Sequence, residues 1–271
     1  MPRILMTLLL ALLASGAALA QTAPKTRSVG AEPPKTALYV GNSFFYYNNG
    51  MSGIVGRLLA AADPQARGYR STMVTISGSG LNWHDMESYF KPGSGMASYS
   101  FTPDNKVVFY KLEKLFDVVI MNDCSQCPVH PQLKDAFHEY VRKHSETVVK
   151  HGARPVLFMT WAYADRPEMT AQLAEQYTIA GNANNALVVP AGLAFAKAIA
   201  RSAQGGPQVN LYDPDKRHPS LAGSYLSACA ILAAVYGKSP VGNPYVAGLE
   251  PKTARFLQEV AHETVREYLG L

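Results

Sequence analysis

Several things are scarce in this chain, and each scarcity excludes something. Among 271 residues there are three cysteines, Cys124, Cys127 and Cys229, and two tryptophans. Small scaffolds held together by disulfides are dense in cysteine, so this is not one of them. A zinc site built on this spacing lacks ligands, and no resident metal or cofactor is expected. Lysine and arginine never cluster: the formal charge of +5 is spread along the chain, which argues against a nucleic-acid partner. No internal repeat is visible. After residue 20 no stretch is apolar enough to span a bilayer, which takes about 20 residues.

What is present begins with a leader. Arg3 supplies a positive start, "ILMTLLLALLASGAALA" is apolar, and Ala18-Leu19-Ala20 ends in an A-x-A pattern. This predicts a secretory signal peptide over residues 1–20, cut before Gln21, and therefore a secreted or periplasmic protein with no stable membrane insertion afterwards. No cysteine follows the cut, which argues against a lipid anchor. Residues 21–35, "QTAPKTRSVGAEPPK", are polar and proline-rich and read as a flexible leader. Residues 36–271 then fit a single domain of ordinary size. In an oxidising compartment Cys124-Ser-Gln-Cys127 suits a tight disulfide. The alternative, a redox C-x-x-C, usually opens a helix in a thioredoxin-like unit. Cys229 lies in an apolar helical stretch and reads as core.

From residue 38 onward strands and helices alternate. Leu38–Val40 is a short strand, and "MSGIVGRLLAAAD" places Ile54, Val55, Leu58 and Leu59 on one helical face. "YRSTMVTIS" is a β-branched second strand. "FDVVIM", 116–121, is an unbroken apolar run suited to a strand buried on both faces. A helix over 131–152 is expected to carry Pro131 in its first turn and to stop at Gly152. "RPVLFMTWAY" and "ALVVP" are further strands, and "QVNLYD", 208–213, is a candidate for a last one. Helices over 167–184, 191–203, 219–237 and 251–269 fill the intervals, and "KPGSGMASYS", 91–100, reads as an irregular insertion. Such alternation means a parallel sheet covered on both faces.

In these sheets ligands bind beyond the carboxyl ends of the strands. Gly41-Asn42-Ser43 follows the first strand, Ser77-Gly78-Ser79-Gly80 the second, and Asn122-Asp123-Cys124-Ser125-Gln126 the third. Near the C-terminus, "LYDPDKRHPSLAGSYL" puts Asp215 three residues before His218, in a loop ahead of a helix. An aspartate there can hold Nδ1 of the imidazole and leave Nε2 as a base. A serine hydroxyl needs such a base to become a nucleophile, and Ser43 is the candidate. Each residue also has a plainer reading: Ser43 as a helix cap, Asp215 and His218 as loop residues, Asp213 as the competing partner of the histidine, Gly78 as a turn residue.

Taken together, "VGNSFFYYNNG", "ISGSG", "VVIMNDCSQCP" and "DPDKRHPSLAGSYL" resemble the four sequence blocks of the SGNH (GDSL-type) hydrolases, over roughly residues 37–236. Asn42 stands where aspartate is commoner. The resemblance implies an α/β fold: a three-layer α/β/α sandwich around a parallel sheet of about five strands, flavodoxin-like in type. It implies Ser43 as nucleophile, His218 as base and Asp215 as its orienter. It also implies an oxyanion hole from the backbone N–H groups of Ser43 and Gly78 with one side-chain amide. The third block departs from the usual Gly-x-Asn-Asp, so the amide is Gln126, slightly favoured by its distance from the strand start, or Asn122.

The expected activity is hydrolysis of carboxylic esters, with small acyl groups on carbohydrate the favoured substrate. An acyltransferase of the same fold and a catalytically silent carbohydrate-binding module are the alternatives. Phe44, Phe45, Tyr46, Tyr47, Trp83 and Trp161 are candidates to line a cleft, with at least half of them expected in the core. His84 is expected at the surface or behind the site.

Overall fold

The computed structural model describes residues 22–63, 68–91, 99–109 and 114–271. The expected signal peptide and its cut before Gln21 lie outside the described residues, as do 92–98 and 110–113 around the expected insertion.

In chain order the elements are β1 (Thr36–Gly41), α1 (Ser43–Tyr46), α2 (Met51–Ala62), β2 (Arg70–Thr75), α3 (Met86–Tyr89), β3 (Tyr99–Phe101), β4 (Val107–Phe109), β5 (Val118–Met121), α4 (Lys134–Lys150), β6 (Arg154–Phe158), α5 (Met169–Ala183), β7 (Leu187–Val189), α6 (Ala191–Ala203), α7 (Leu221–Tyr236) and α8 (Pro251–Leu269). Five of the strands form one sheet in the order β2-β1-β5-β6-β7, and every pairing within it is parallel. With the β3–β4 hairpin set aside, this is the 2-1-3-4-5 winding of flavodoxin-like sheets, whose ligand crevice opens where the winding reverses, between β1 and β5.

Successive side chains of a strand point to opposite faces, and the core divides accordingly. Leu38, Val40, Val119, Met121, Leu157 and Val188 face one layer, where Phe137 and Val141 of α4 and Leu173 and Tyr177 of α5 cover them. Tyr39, Ile120, Val156, Phe158 and Val189 face the other, against Leu58 of α2, Phe195 of α6, Leu226 of α7 and Leu257 of α8. Each of the aliphatic, methionine and phenylalanine side chains among these contributes about 1.5–3 kcal/mol by leaving water. Helix α7 is buried along nearly its whole length, which is why its sequence is apolar on every face rather than on one stripe. It stops at Gly237, whose φ of 61° is left-handed. Among the described residues no helix is long and apolar enough to cross a membrane.

The structure differs from expectation at four places. Residues 208–213 are not a strand: among the described residues they make only an isolated antiparallel bridge, Tyr212 with Pro219. The turn at Asp213–Lys216 folds this stretch onto its own continuation instead of onto the sheet. Helix α4 begins at Lys134, not at Pro131. The His130 carbonyl accepts from the N–H groups of Leu133 and Lys134 and His130 Nδ1 accepts from Gln132 N at 3.2 Å, so residues 131–133 form a separate turn. Residues 99 and 100, the end of the expected irregular insertion, belong to strand β3 of the antiparallel β3–β4 hairpin, which turns at Asn105 with φ 62°. The stretch expected to be a flexible leader carries specific bonds: Thr22 N donates to Glu175 at 3.0 Å and Lys25 N to Asn182 Oδ1 at 2.7 Å.

Candidate active site

Strand β1 ends in a close approach. A Cβ on Gly41 would lie 1.7 Å from Asn122 Oδ1, so only glycine lets the loop after β5 pack against this strand. Asn42 then caps α1: its Oδ1 accepts from Phe44 N at 3.2 Å. Its Nδ2 donates to the carbonyls of Ser79 at 2.8 Å and Asp123 at 3.1 Å. One side chain thus ties together the loops after the first three strands of the winding. Because Asn42 does the capping, the hydroxyl of Ser43 is left for other use.

That hydroxyl meets His218. Ser43 Oγ lies 2.8 Å from His218 Nε2, and His218 Nδ1 is hydrogen-bonded to Asp215 Oδ2. The carboxylate fixes the proton on Nδ1, so Nε2 is the acceptor for the serine O–H. Asp215 also accepts from the backbone N–H groups of Arg217 and His218, each at 2.9 Å. Partial burial works against its charge, but the bonds from His218 and these two amides outweigh that and hold the carboxyl at about 2. Asp215, not the competing Asp213, is therefore the partner of the histidine. Asp213 closes the base of the loop through its backbone, its N–H donating to the His218 carbonyl at 2.9 Å.

The residues expected to donate to an oxyanion separate into two groups. The loop carrying Gly78 lies beside the Gly41–Ser43 turn, because Ile76 N donates to the Gly41 carbonyl at 2.9 Å. Gly78 has φ 70°, a conformation that favours glycine. Neither Ser43 N–H nor Gly78 N–H has an acceptor among the described residues. The two amides behave differently. Asn122 is buried beneath Gly41, and its Nδ2 donates to Asn42 Oδ1 at 3.0 Å and to the Asp123 carbonyl at 3.1 Å. Two carbonyls fix which atom of Asn42 is nitrogen, and that orients Asn122 in turn. Its own Oδ1 is left without a partner. Gln126 precedes the short turn Cys127–Val129 and lines a separate cavity with His130, Arg166 and Met169 that includes neither Ser43 nor His218.

Behind Gly41 and Ser43 lies a buried polar layer. His84 is buried, with Nε2 3.1 Å from both Ser79 Oγ and the Gly41 carbonyl and Nδ1 3.0 Å from the Tyr89 hydroxyl. Burial pushes its imidazole down to about 4, against the opposing pull of the Gly41 carbonyl. Asp123 is also buried. Its Oδ1 accepts from Leu81 N at 3.1 Å and Cys124 N at 2.6 Å. Burial outweighs those bonds and raises its carboxyl to about 6. Cys124 and Cys127 are joined in a disulfide, so in the Asp123–Cys124–Cys127 group only the carboxylate remains as a metal ligand. Cys229 is a buried free thiol in α7.

Of the aromatic candidates, Phe44, Phe45 and Trp161 are core. Trp161 stacks on Phe195 at 4.2 Å and donates its Nε1–H to the Arg217 carbonyl at 2.9 Å, supporting the histidine loop from below. Trp83 is 60 % exposed and Tyr46 36 %. Tyr47 stacks face to face on the His218 ring, with centroids 4.2 Å apart and planes 5° apart. Desolvation, then the Asp215 carboxylate, raises its phenol above the ordinary value.

No family model and no curated protein matches the chain. Solved structures do. A protein from Slackia heliotrinireducens assigned to the SGNH hydrolases is 22% identical, with TM-score 0.52, covering 76% of this chain and 99% of that one. A DUF4886 family protein from Bacteroides uniformis is 16% identical, with TM-score 0.55, covering 85% and 94%. The acetylxylan esterase Axe2 from Geobacillus stearothermophilus is 16% identical, with TM-score 0.51, covering 81% and 96%. At these identities the likeness is one of fold: the chain has the SGNH-hydrolase architecture.

Proposed function

We propose that this SGNH-fold chain is an exported serine esterase that removes small acyl groups from a carbohydrate or similar alcohol. One observation carries the reading: the unbroken relay from Ser43 Oγ to His218 Nε2 and from Nδ1 to Asp215, at the carboxyl edge of β1. In this mechanism Ser43 Oγ attacks the ester carbonyl carbon while His218 takes its proton. The Asp215 carboxylate stabilises the imidazolium that results. The unspent N–H groups of Ser43 and Gly78 supply donors for the developing oxyanion, each such donor contributing about 2.7–4 kcal/mol in comparable sites. The C–O bond then breaks, and the proton from His218 goes to the departing alkoxide. Water, deprotonated by the same base, releases the acid and restores Ser43. In this account Asn122 holds Asn42 and Gly41 in place instead of donating to the substrate.

A small-acyl preference accords with the SGNH architecture and with the name of Axe2, although that likeness is one of fold. The exposed Trp83 and Tyr46 offer ring faces for a sugar. The test is hydrolysis of p-nitrophenyl acetate, butyrate and octanoate by the chain from Gln21, beside Ser43→Ala. We expect turnover highest on acetate and reduced by at least about 1000-fold in the variant. Equal rates in both proteins would remove Ser43 from the mechanism. Octanoate as the best substrate would replace the small-acyl assignment with a lipase-like one.

A further inference from the structure

The five residues that follow the nucleophile do more than continue its helix. Tyr47 follows the last residue of α1 and lays its ring flat on the imidazole of His218. Phe44, one residue after the nucleophile, meets the same imidazole edge-on, with centroids 5.7 Å apart and planes 71° apart. The chain then passes through Asn48, Asn49 and Gly50, with φ of 55°, 64° and 88°. Three left-handed residues in succession reverse its direction, and asparagine is among the few non-glycine residues that adopt this conformation readily. The reversal turns the Asn48 side chain toward the far end of the sequence. Its Nδ2 donates to the Pro219 carbonyl at 2.9 Å and to Ser224 Oγ at 2.8 Å. Pro219 is the residue after the base, and Ser224 is buried in the first turns of α7.

We propose that Tyr47 and Asn48 are positioning residues for the general base: Asn48 fastens the His218 loop to the nucleophile turn, and Tyr47 fixes the plane of the imidazole over Ser43. This rests on the esterase reading above. The imidazole needs such help because its loop is the more exposed side of the site. The side chain of Asp215 is 44% exposed, so the carboxylate alone leaves the ring open to water and free to swing about its single hydrogen bond. A face-stacked phenol removes that freedom, and its π-face also favours the imidazolium formed when Ser43 attacks. Both contacts come from the segment that carries Ser43, so nucleophile and base keep their separation when the surrounding loops move.

The test uses the full chain with Ser43→Ala as control. Tyr47→Ala and Asn48→Gly are each expected to lower kcat by about 10- to 100-fold, the size expected when a reacting group shifts by about an ångström. KM should stay within about twofold, and Tyr47→Phe should restore most of the loss. Glycine is chosen at position 48 because it keeps the left-handed backbone while removing the amide. Thermal midpoints identify a variant that fails to fold, and Tyr47→Leu, which keeps bulk without an aromatic face, replaces Tyr47→Ala in that event. Unchanged kcat in both variants, while Ser43→Ala is inactive, overturns the proposal. So does a rise in KM at constant kcat, which would make Tyr47 a substrate contact. A readout independent of turnover is the far-downfield proton resonance of the His218 Nδ1–H. It should be visible in the wild type and in Tyr47→Phe, and lost to solvent exchange in Tyr47→Ala. Its persistence in Tyr47→Ala overturns the proposal even if the wild type hydrolyses no ester, the outcome that would sink the esterase reading itself.

Discussion

Gly41 shows how much one missing side chain can decide. Its Cα hydrogen faces Asn122 at a distance where any Cβ would overlap the amide. Gly41→Ala must push Asn122 off Asn42, and with it the capping that frees Ser43. The expected cost is about 1–3 kcal/mol of stability, the usual range for overpacking a tight site, together with a larger fractional loss of turnover. A melting curve and a p-nitrophenyl acetate assay on the same preparation would check both. A variant that melts early but turns over normally would show that Asn122 is only packing. At this scale the sequence was partly legible. Gly41, Asn42 and Ser43 adjoin one another, and Asp215 lies three residues from His218, so local spacing revealed them. Tyr47, Asn48 and His84 were harder. The partners of Tyr47 and Asn48 lie far away in sequence, 171 residues away for the Asn48–Pro219 bond, and nothing in "YYNNG" announces more than a turn. The partners of His84 are nearer, Ser79 and Tyr89 at five residues, but its burial under Gly41 depends on the fold. The choice between Asn122 and Gln126 rested on counting from the strand start, which does not reveal where each side chain turns: Asn122 bonds to Asn42 and Asp123, and Gln126 lines a separate cavity.

At the scale of elements, the loop after β5 supports the Ser43 turn from beneath. It carries Asn122 and Asp123, and the disulfide between Cys124 and Cys127 closes it at once. A cross-link over so short a loop contributes about 2 kcal/mol in the chain-entropy account. Replacing both cysteines with serine should therefore lower the melting temperature by about 4–8 °C. It should also lower kcat, because Asp123 and Asn122 lose the turn that anchors them. A fall in melting temperature with unchanged kcat would mean that the hydrogen bonds to Asn42 and Leu81 hold the loop unaided. The strands were readable because their apolar runs match the two buried faces of the sheet. Residues 208–213 were misread because "VNLY" has the composition of a strand, while whether a run joins a sheet depends on an open edge to join. Here the chain turns at Asp213 and pairs with itself.

At the scale of the molecule, the buried Asp123 links stability to pH. Its folded pKa of about 6 lies above the ordinary 3.8. Its stabilising contribution is therefore complete below about pH 4 and is lost as pH rises through 6. The loss amounts to at most about 3 kcal/mol. Asp123→Asn keeps an oxygen to accept from Leu81 and Cys124 and never ionises. It should melt higher than the wild type at pH 7–8 and level with it near pH 4. A constant difference across that range would show that Asp123 does not change its proton on unfolding. The layout has one more consequence. The hydroxyl and the imidazole that meet at 2.8 Å stand 175 residues apart in the chain, the first made early and the second near the end. On the proposed reading, a chain that stops short of residue 218 carries a serine with no base to activate it. On the same reading the reacting pair forms only once the segment carrying His218 has folded back beside Ser43, so the fold acts as its own safety catch.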